Sequence, residues 1–327
     1  MKTCQLIITA FVAFAFTMFN GGVQKVTAQQ DRAYSMYMFN MLEINPAYAG
    51  SREQISLSGI YRHQWAGFDG APRTMTFSGH APLANKNIAL GASFTNDRIG
   101  PSNMNELSVD YAYRIPMGSG KLSLGLRTSI RNYNVEYSEL DVNDPDDQAF
   151  NYDNQTLWRP NFGAGLFYYA EKFYAGFSVP HVINNSLNED WETAGTQEVA
   201  REYRHFLLNG GVVITLADKV DFKPSTLIKY VPNTPLQADI NASFLFFEKL
   251  WIGASYRTSV ASEYQERAAV LGMVEYYFAK NFRAGYAYDY SLTELQEHTS
   301  GTHEIMIGYE FGLTKDRYLT PRRMNYF

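Results

Sequence analysis

Alternation of apolar and polar side chains along roughly fourteen segments of about ten residues constrains this chain more than any other feature. In the segment 105–115, Leu107, Val109 and Tyr111 alternate with Glu106 and Asp110. A period of two is the period of a β-strand, whose successive side chains point to opposite faces. Because the charges fall on one face only, the two faces contact different solvents. The sequence predicts one large sheet with an apolar side and a polar side.

The number of charges on the polar face decides between two sheet architectures. A soluble β-sandwich also alternates, but it buries one face of each strand in a dry core and wets the other. A transmembrane barrel is apolar outside and polar inside. We therefore predict an all-β fold, an antiparallel transmembrane β-barrel of about 14 strands over residues 54–312. The predicted inward charges are Arg62, Glu106, Asp110, Arg114, Arg127, Arg131, Asp239, Arg257, Arg283, Asp289 and Glu304.

The predicted connections alternate between compact links and longer ones, notably 134–158, 181–203 and 291–301. Short periplasmic turns and long outer loops are the rule in outer-membrane barrels, so both termini are expected in the periplasm, including a basic tail over 313–327. Pro224 interrupts one strand pattern and predicts a bulge or a strand boundary. The strands are predicted near 54–63, 73–81, 87–96, 105–115, 121–132, 160–169, 172–179, 204–216, 219–230, 236–247, 249–259, 267–278, 281–290 and 302–312.

The N-terminus predicts export. An apolar run over 6–19 follows Lys2, and small residues precede a cleavage point between Ala28 and Gln29, so residues 1–28 are typical of a signal peptide. The single cysteine, Cys4, lies in the part removed, which excludes disulfides, thiol catalysis and cysteine zinc sites from the mature chain.

A net charge of −5 argues against nucleic acid as a partner, whereas 24 Tyr and 22 Phe suit the interfacial girdles of a barrel in outer-membrane lipid.

Residues 29–53 form a separate segment before the barrel. Apolar residues recur in it at helical spacing until Asn45 and Pro46 end the pattern. The spacing favours a short helix that lies in the periplasm or fills the lumen. A loosely ordered lead-in to the first strand is the alternative. The residues at helical spacing are Tyr34, Tyr37, Met38, Met41 and Leu42.

Motifs for catalysis or cofactor binding are weak. Ser78 and His80 share one strand face, but this pair is common lumen polarity, and the sequence has no serine-hydrolase elbow, zinc-protease helix or P-loop. The acidic residues of 141–153 could hold calcium but lack the spacing of an EF-hand, so a solvated loop is the default. We predict no enzyme activity, no cofactor and no metal site.

Two strings, within 37–51 and 61–74, carry the most specific local patterns in the chain. They resemble signatures of the PorP/SprF family of outer-membrane proteins of the type IX secretion system in Bacteroidetes. The resemblance spans nearly the whole mature chain, and two further strings, 159–169 and 173–181, are similar to the family's central hairpin. Met41 departs from the family, which often has proline there. The strings within 37–51 and 61–74 include Asn45, Pro46, Ala47, Tyr48, Ala49 and Gly50, then Gln64, Trp65, Gly67, Phe68, Gly70, Ala71 and Pro72.

The resemblance implies a barrel that works by protein contact. One family role is dedicated: the barrel aids secretion or surface attachment of a C-terminal-domain protein such as a large adhesin. The other is a core role beside the periplasmic ring and motor components. We expect loop aromatics Tyr152, Trp158 and Trp191 to contact the partner, since buried Trp and Tyr dominate protein interfaces. A passive outer-membrane pore is the rival hypothesis, and the sequence does not choose among these roles.

Overall fold

The computed structural model describes residues 32, 34–83, 87–136, 155–187, 201–259, 268–278 and 281–312. Within this part of the chain, no helix has the length and apolar character needed to cross a bilayer. The strand segments are β1 Ile55–His63, β2 Arg73–Pro82, β3 Ile88–Ile99, β4 Ser102–Met117, β5 Gly120–Val135, β6 Gln155–Tyr169, β7 Phe173–Val179, β8 Phe206–Val212, β9 Ile214–Ala217, β10 Val220–Tyr230, β11 Gln237–Phe246, β12 Leu250–Ser259, β13 Ala269–Tyr276, β14 Phe282–Ser291 and β15 Thr302–Phe311.

These segments form one closed antiparallel sheet. The strands pair with their neighbours in chain order, and β15 pairs back onto β1 with Phe311 opposite Ile55. Segments β8 and β9 both pair with β10 and together make one interrupted strand, so the ring has fourteen strands. Closure leaves no unpaired sheet edge, which is a condition for crossing lipid with strands. The predicted 14-strand barrel is confirmed.

The structure also confirms which face points inward. Along β4, Glu106 and Asp110 are buried, whereas Leu107 and Val109 are 52% and 54% exposed. Burial of charge and exposure of apolar side chains is the arrangement of a barrel in a membrane. Exposed aromatic side chains lie near both ends of the strands, as expected for interfacial girdles; they include Phe173, Phe247, Tyr276, Phe278 and Phe282 at one end and Trp158, Tyr230, Tyr256 and Tyr290 at the other.

Inward charges are matched across neighbouring strands by the register of the sheet. Glu106 lies opposite Arg131, and Asp110 lies opposite Arg127. Their side chains form ion pairs of 3.0 and 2.7 Å. Two further opposed pairs, Arg62 with Glu304 and Asp239 with Arg257, follow the same rule. In these four pairs the register places each buried charge opposite its counter-charge, which offsets the cost of burying it.

The two ends of the barrel differ in their connections. The short-turn end carries the links 83–87, 118–119, 170–172, 218–219, 247–249 and 277–281, as well as the start of β1 and the end of β15. The long-loop end carries 64–72, 136–154, 180–205, 231–236, 260–268 and 292–301, together with one compact turn at 100–101. These two names are used below for the ends of the lumen.

Pro224 lies where the prediction placed a defect. It belongs to β10, and the opposite strand is interrupted at Val213, between β8 and β9. Proline has no N–H to donate to a ladder, so pairing on this side is lost locally. On its other side, toward β7, the Val213 N–H donates to the Lys172 carbonyl at 2.7 Å. Pairing between β10 and β11 continues past the proline.

The segment before the barrel forms three separate 3₁₀ turns, Tyr37–Phe39, Met41–Glu43 and Pro46–Tyr48, and not the continuous helix that the spacing favoured. Asn40 breaks the helix with φ −143° and ψ 69°, and its side chain donates to Ser78 at 2.9 Å. Asn45 is extended before Pro46, as the proline ring requires of the preceding residue. Bonds to the barrel wall replace the bonds of a helix.

Candidate functional site

The N-terminal segment, residues 34–54, lies inside the barrel and contacts the inward faces of its strands. Nearly all of its side chains are buried, including Tyr37, Met41 and Tyr48. The Tyr37 hydroxyl accepts a hydrogen bond of 2.6 Å from Asn241 on β11, and Asn45 donates to the Leu166 carbonyl on β6 at 2.9 Å. The Met36 N–H donates to Glu304 on β15 at 2.7 Å, and β15 lies nearly opposite β6 in the ring, so the segment spans the width of the lumen.

Glycines in the wall let the backbone of the N-terminal segment approach closely. A Cβ built on Gly125 of β5 would overlap the backbone of Pro46 and Ala47, and one on Gly165 of β6 would overlap the Asn45 side chain. Only glycine leaves room for this approach. Tyr48 then packs its ring edge against His80 and Phe167, with centroids 5.3 and 5.5 Å away. The fit fixes the segment against three strands.

A buried ion cluster holds the segment at the short-turn end. Arg52 pairs with Glu310 of β15, and Gln54 donates to the same carboxylate. Arg283 approaches Glu310 at 3.6 Å and pairs with Glu275 at 2.7 Å. Removing one member of such a buried cluster leaves uncompensated charge, which costs far more than an exposed ion pair gains.

A second wall contact lies halfway along the lumen. Arg127 of β5 pairs with Asp110 and also donates to the Leu42 and Glu43 carbonyls at 2.6 and 3.2 Å. One guanidinium therefore joins two strands and the segment, a use that suits the five donors of arginine. Both carbonyls belong to the 3₁₀ turn Met41–Glu43, where backbone acceptors are left without helical partners.

A third cluster, here called the mouth cluster, lies toward the long-loop end and consists of Arg32, Glu106, Arg131, His181 and Glu202. Glu106 accepts from Arg32 at 2.7 Å, from Arg131 at 3.0 Å and from His181 at 2.8 Å. Arg131 also donates to Glu202 at 3.1 Å. The cluster thus joins Arg32, which directly precedes the N-terminal segment, to two strands and the connection 180–205 through shared charged groups.

The ends of the long connection 180–205 form a structured stem. Ser186 and Arg201 pair as an isolated β-bridge, and the Glu202 N–H donates to the Asn185 carbonyl at 2.9 Å. Glu202 is anchored to the wall by Tyr133 and by Asn161, whose Nδ2 lies 3.2 Å from the carboxylate. The stem therefore starts and ends over the lumen wall formed by β5 and β6.

A small cavity of about 70 Å³ remains beside the mouth cluster, with room for a few water molecules. Its lining includes Tyr34, Glu43, His205, Lys229 and Arg257. No group of histidine, cysteine, aspartate and glutamate side chains within the described residues has the arrangement of a metal site. The cavity is space that the N-terminal segment leaves unfilled against the wall.

The six residues singled out in the first family string, Asn45–Gly50, form the tightest part of the N-terminal segment. The Asn45 side chain accepts from the Ala47 N–H at 2.9 Å and so caps the turn that Pro46 begins. Gly50 has φ +72°, and its N–H donates to His80 at 3.0 Å. Ser78 in turn is bonded to Asn40. The Ser78 and His80 pair considered for catalysis therefore binds the N-terminal segment.

The second string lies in the connection 64–72 at the long-loop end, where the backbone is tightly bonded. Ala66 donates to the Gly301 carbonyl at 2.8 Å and accepts from the Ser300 N–H at 2.7 Å, and Gly100 donates to the Gly70 carbonyl at 3.0 Å. Gly67 and Gly70 have φ of +93° and +69°. This ordered loop leaves Phe68 54% exposed. Trp65, Gln64, Ala71 and Pro72 complete the loop.

Of the predicted contact aromatics, Trp158 lies within the described residues. Trp158 belongs to β6, paired opposite Asn132, and is 58% exposed on the outside of the barrel, so its assignment to a loop was wrong. The predicted strands ended at residue 132 and began again at residue 160, whereas β5 continues to Val135 and β6 begins at Gln155. Tyr152, Trp191, the acidic stretch 141–153, the tail 313–327 and the cleavage residues Ala28 and Gln29 lie outside the described residues.

The barrel is similar to several solved structures. They include the outer membrane protein Omp33 of Acinetobacter baumannii (11% identity, TM-score 0.45, covering 79% of this chain and 98% of that chain). The CymD monoaromatic hydrocarbon channel has 12% identity, a TM-score of 0.49 and coverage of 86% and 95%. A Pseudomonas aeruginosa FadL homologue has 10% identity, a TM-score of 0.46 and coverage of 82% and 93%. These likenesses are too distant to bear on function.

Sequence comparison is more specific than structural comparison here. The comparison with curated proteins gave no match. The sequence model of the family described as type IX secretion system membrane protein PorP/SprF matches residues 26–309, which include the N-terminal segment and nearly the whole barrel. A match over most of the chain agrees with the strings recognised in 37–51 and 61–74. The chain belongs to the PorP/SprF family of type IX secretion system membrane proteins.

Proposed function

We propose that this protein is a closed, non-enzymatic barrel of the outer membrane that aids secretion or surface attachment of a C-terminal-domain cargo protein, such as a large adhesin, by direct contact. The observation that carries the proposal is the filled lumen. Residues 34–54 occupy the lumen, and inward charges of the wall form ion pairs with that segment, as in Arg52–Glu310, or with one another, as in Arg127–Asp110. A barrel filled in this way works at its ends and not through its centre.

The long-loop end is the proposed contact surface. It bears the connection 180–205, whose stem is fixed to the wall through Glu202, and the ordered loop 64–72 with Phe68 exposed. Rigid loops lose little conformational entropy on binding, and exposed aromatic rings supply much of the energy at protein interfaces. Long loops face the cell exterior in outer-membrane barrels, which is where a surface-attached cargo lies.

Deletion of the gene followed by proteomics of the cell surface and the medium tests the role. Loss of one or a few C-terminal-domain proteins supports a dedicated cargo. Loss of the whole class would instead support the alternative of a core component beside the periplasmic ring and motor. An unchanged secreted proteome would contradict both roles and return the pore to consideration.

Loop replacement tests the surface. A variant in which a short Gly/Ser linker replaces 188–200 keeps the Ser186–Arg201 bridge and therefore the stem. We expect the barrel to reach the membrane at normal abundance while cargo is lost from the surface. The matched control replaces 232–235, in another connection at the same end. If cargo attachment survives in the first variant, the connection 180–205 is not the contact.

A further inference from the structure

The N-terminal segment has a definite direction through the lumen, because its contacts are ordered by depth. Glu106, which binds Arg32, lies near the Ser102 end of β4, which is at the long-loop end. Thr76, which bonds the Tyr34 hydroxyl at 2.6 Å, lies near the Arg73 end of β2, also at the long-loop end. The earliest described residues therefore contact the half of the wall that is nearer the long-loop end.

Later residues of the same segment contact progressively deeper positions. Ala47 packs on Gly125, toward the Gly120 end of β5. The Gly50 N–H donates to His80, near the short-turn end of β2. Glu53 pairs with Arg114 at 3.0 Å and with Lys121, both at the short-turn end. The chain then enters β1 at Ile55. The segment thus descends the lumen from the long-loop end to the short-turn end.

We propose that the mature N-terminus opens at the long-loop end, on the same side of the membrane as the long loops, and forms part of the surface that faces a partner protein. With cleavage after Ala28, three residues precede Arg32, and three extended residues reach only about 10 Å. That length cannot return the N-terminus to the short-turn end of a membrane-spanning barrel. This proposal replaces the sequence-based expectation that both termini lie in the periplasm.

The mouth cluster makes the N-terminal residues and the connection 180–205 one surface. Arg32 and Arg131 bind the same Glu106 carboxylate oxygen, Oε2, and Arg131 reaches Glu202 in the stem. Three consecutive ion pairs, Arg32–Glu106, Glu106–Arg131 and Arg131–Glu202, therefore connect Arg32 to the stem. The assignment of a secreted protein as this partner rests on the proposed function; the location of the N-terminus does not.

Cysteine labelling tests the location, because the mature chain has no thiol of its own once Cys4 is removed. Gln30→Cys is treated with a membrane-impermeant maleimide on intact and on permeabilised cells. Two exposed positions serve as references: Asp69→Cys at the long-loop end and Ser119→Cys at the short-turn end. A second variant carries an epitope and a flexible linker directly after Gln29, detected by antibody on the same cells.

The expected result is that, in intact cells, Gln30→Cys is labelled or the epitope is detected as strongly as Asp69→Cys is labelled. The signal should exceed the labelling of Ser119→Cys at least tenfold. Detection only after permeabilisation, together with Ser119→Cys, overturns the proposal. Absence of both signals from a barrel that shows folded mobility on unheated gels also overturns it. The epitope should lower surface-bound cargo, whereas the same epitope after Ser119 should not; unchanged cargo with a surface-exposed epitope would reject the partner role and leave the topology standing.

Discussion

The N-terminal segment is held differently at the two ends of the lumen. At the short-turn end its backbone packs on wall glycines, and Arg52 and Gln54 share the Glu310 carboxylate. At the long-loop end the Ser35 and Met36 N–H groups donate to the Glu304 carboxylate at 2.8 and 2.7 Å. Arg32 shares Glu106 with Arg131, which also binds the stem of the connection 180–205. Both ends therefore hold the segment, and the long-loop end also links it to a surface loop.

The largest effect is expected from Glu310→Ala at the short-turn end. The substitution leaves Arg52 buried with its charge uncompensated, whereas Arg283 keeps Glu275, and we expect a loss of about 3–5 kcal/mol in the free energy of unfolding. Urea titration of the barrel refolded in lipid vesicles measures it. Glu294→Ala, an exposed residue at the long-loop end, is the control and should change stability by less than about 0.5 kcal/mol. Equal losses of stability in the two variants would show that the buried Glu310 cluster does not anchor the segment.

A steric change toward the short-turn end should have the next largest effect. In Gly125→Ala the new methyl group overlaps the Pro46 and Ala47 backbone, so the segment must shift, at a cost of about 1–3 kcal/mol. Protease accessibility of the N-terminal segment should rise with it. Gly272→Ala on β13 is the matched control, because a Cβ there meets nothing within 4 Å. Wild-type behaviour of Gly125→Ala would show that the segment is not packed on this wall.

At the long-loop end, Glu202→Gln should loosen the stem without unfolding the barrel. The carboxylate binds Arg131, Tyr133, Asn161 and Asn185, and loss of its charge weakens the first of these most. We expect a stability change below about 1.5 kcal/mol but several-fold faster proteolysis within 188–200, because local opening does not require the sheet to separate. Proteolysis at an unchanged rate would mean that Glu202 does not fix the stem.

The smallest effect is expected from Arg32→Ala. Glu106 keeps Arg131 and His181 as partners, so the cost should stay below about 1 kcal/mol. A double-mutant cycle with Glu106→Gln isolates the coupling between the two side chains. A coupling as large as that between Arg52 and Glu310 would show that both ends anchor the segment equally.

The sheet could be predicted from the sequence because its physics is local and repetitive. Alternation placed all fourteen strands, the inward set from Arg62 to Glu304 proved to line the lumen, and Pro224 marked the broken ladder. The strand ends were less certain: β5 and β6 continue their ladder beyond the apolar alternation, and this misplaced Trp158.

The sequence offered filling of the lumen by residues 29–53 as one alternative, but it could not give the conformation or direction of the segment. The 3₁₀ turns follow from bonds to distant strands, such as Asn40 to Ser78 and Asn45 to Leu166, which leave no periodic signal in the segment itself. Its direction through the barrel likewise depends on which wall residues it meets. The motif Asn45–Gly50 together with wall glycines such as Gly125 was the available signal, since asparagine, proline and glycine there specify caps and close approach.

The most direct test of the central claim, a lumen closed by the chain's own N-terminal segment, is the conductance of the purified wild-type barrel in a planar lipid bilayer. Folded insertion is first verified by gel mobility before and after heating. The account predicts no stable single-channel steps, because residues 34–54 fill the lumen and bond to its wall. A stable open channel from the wild-type protein would contradict the closed lumen and favour the pore.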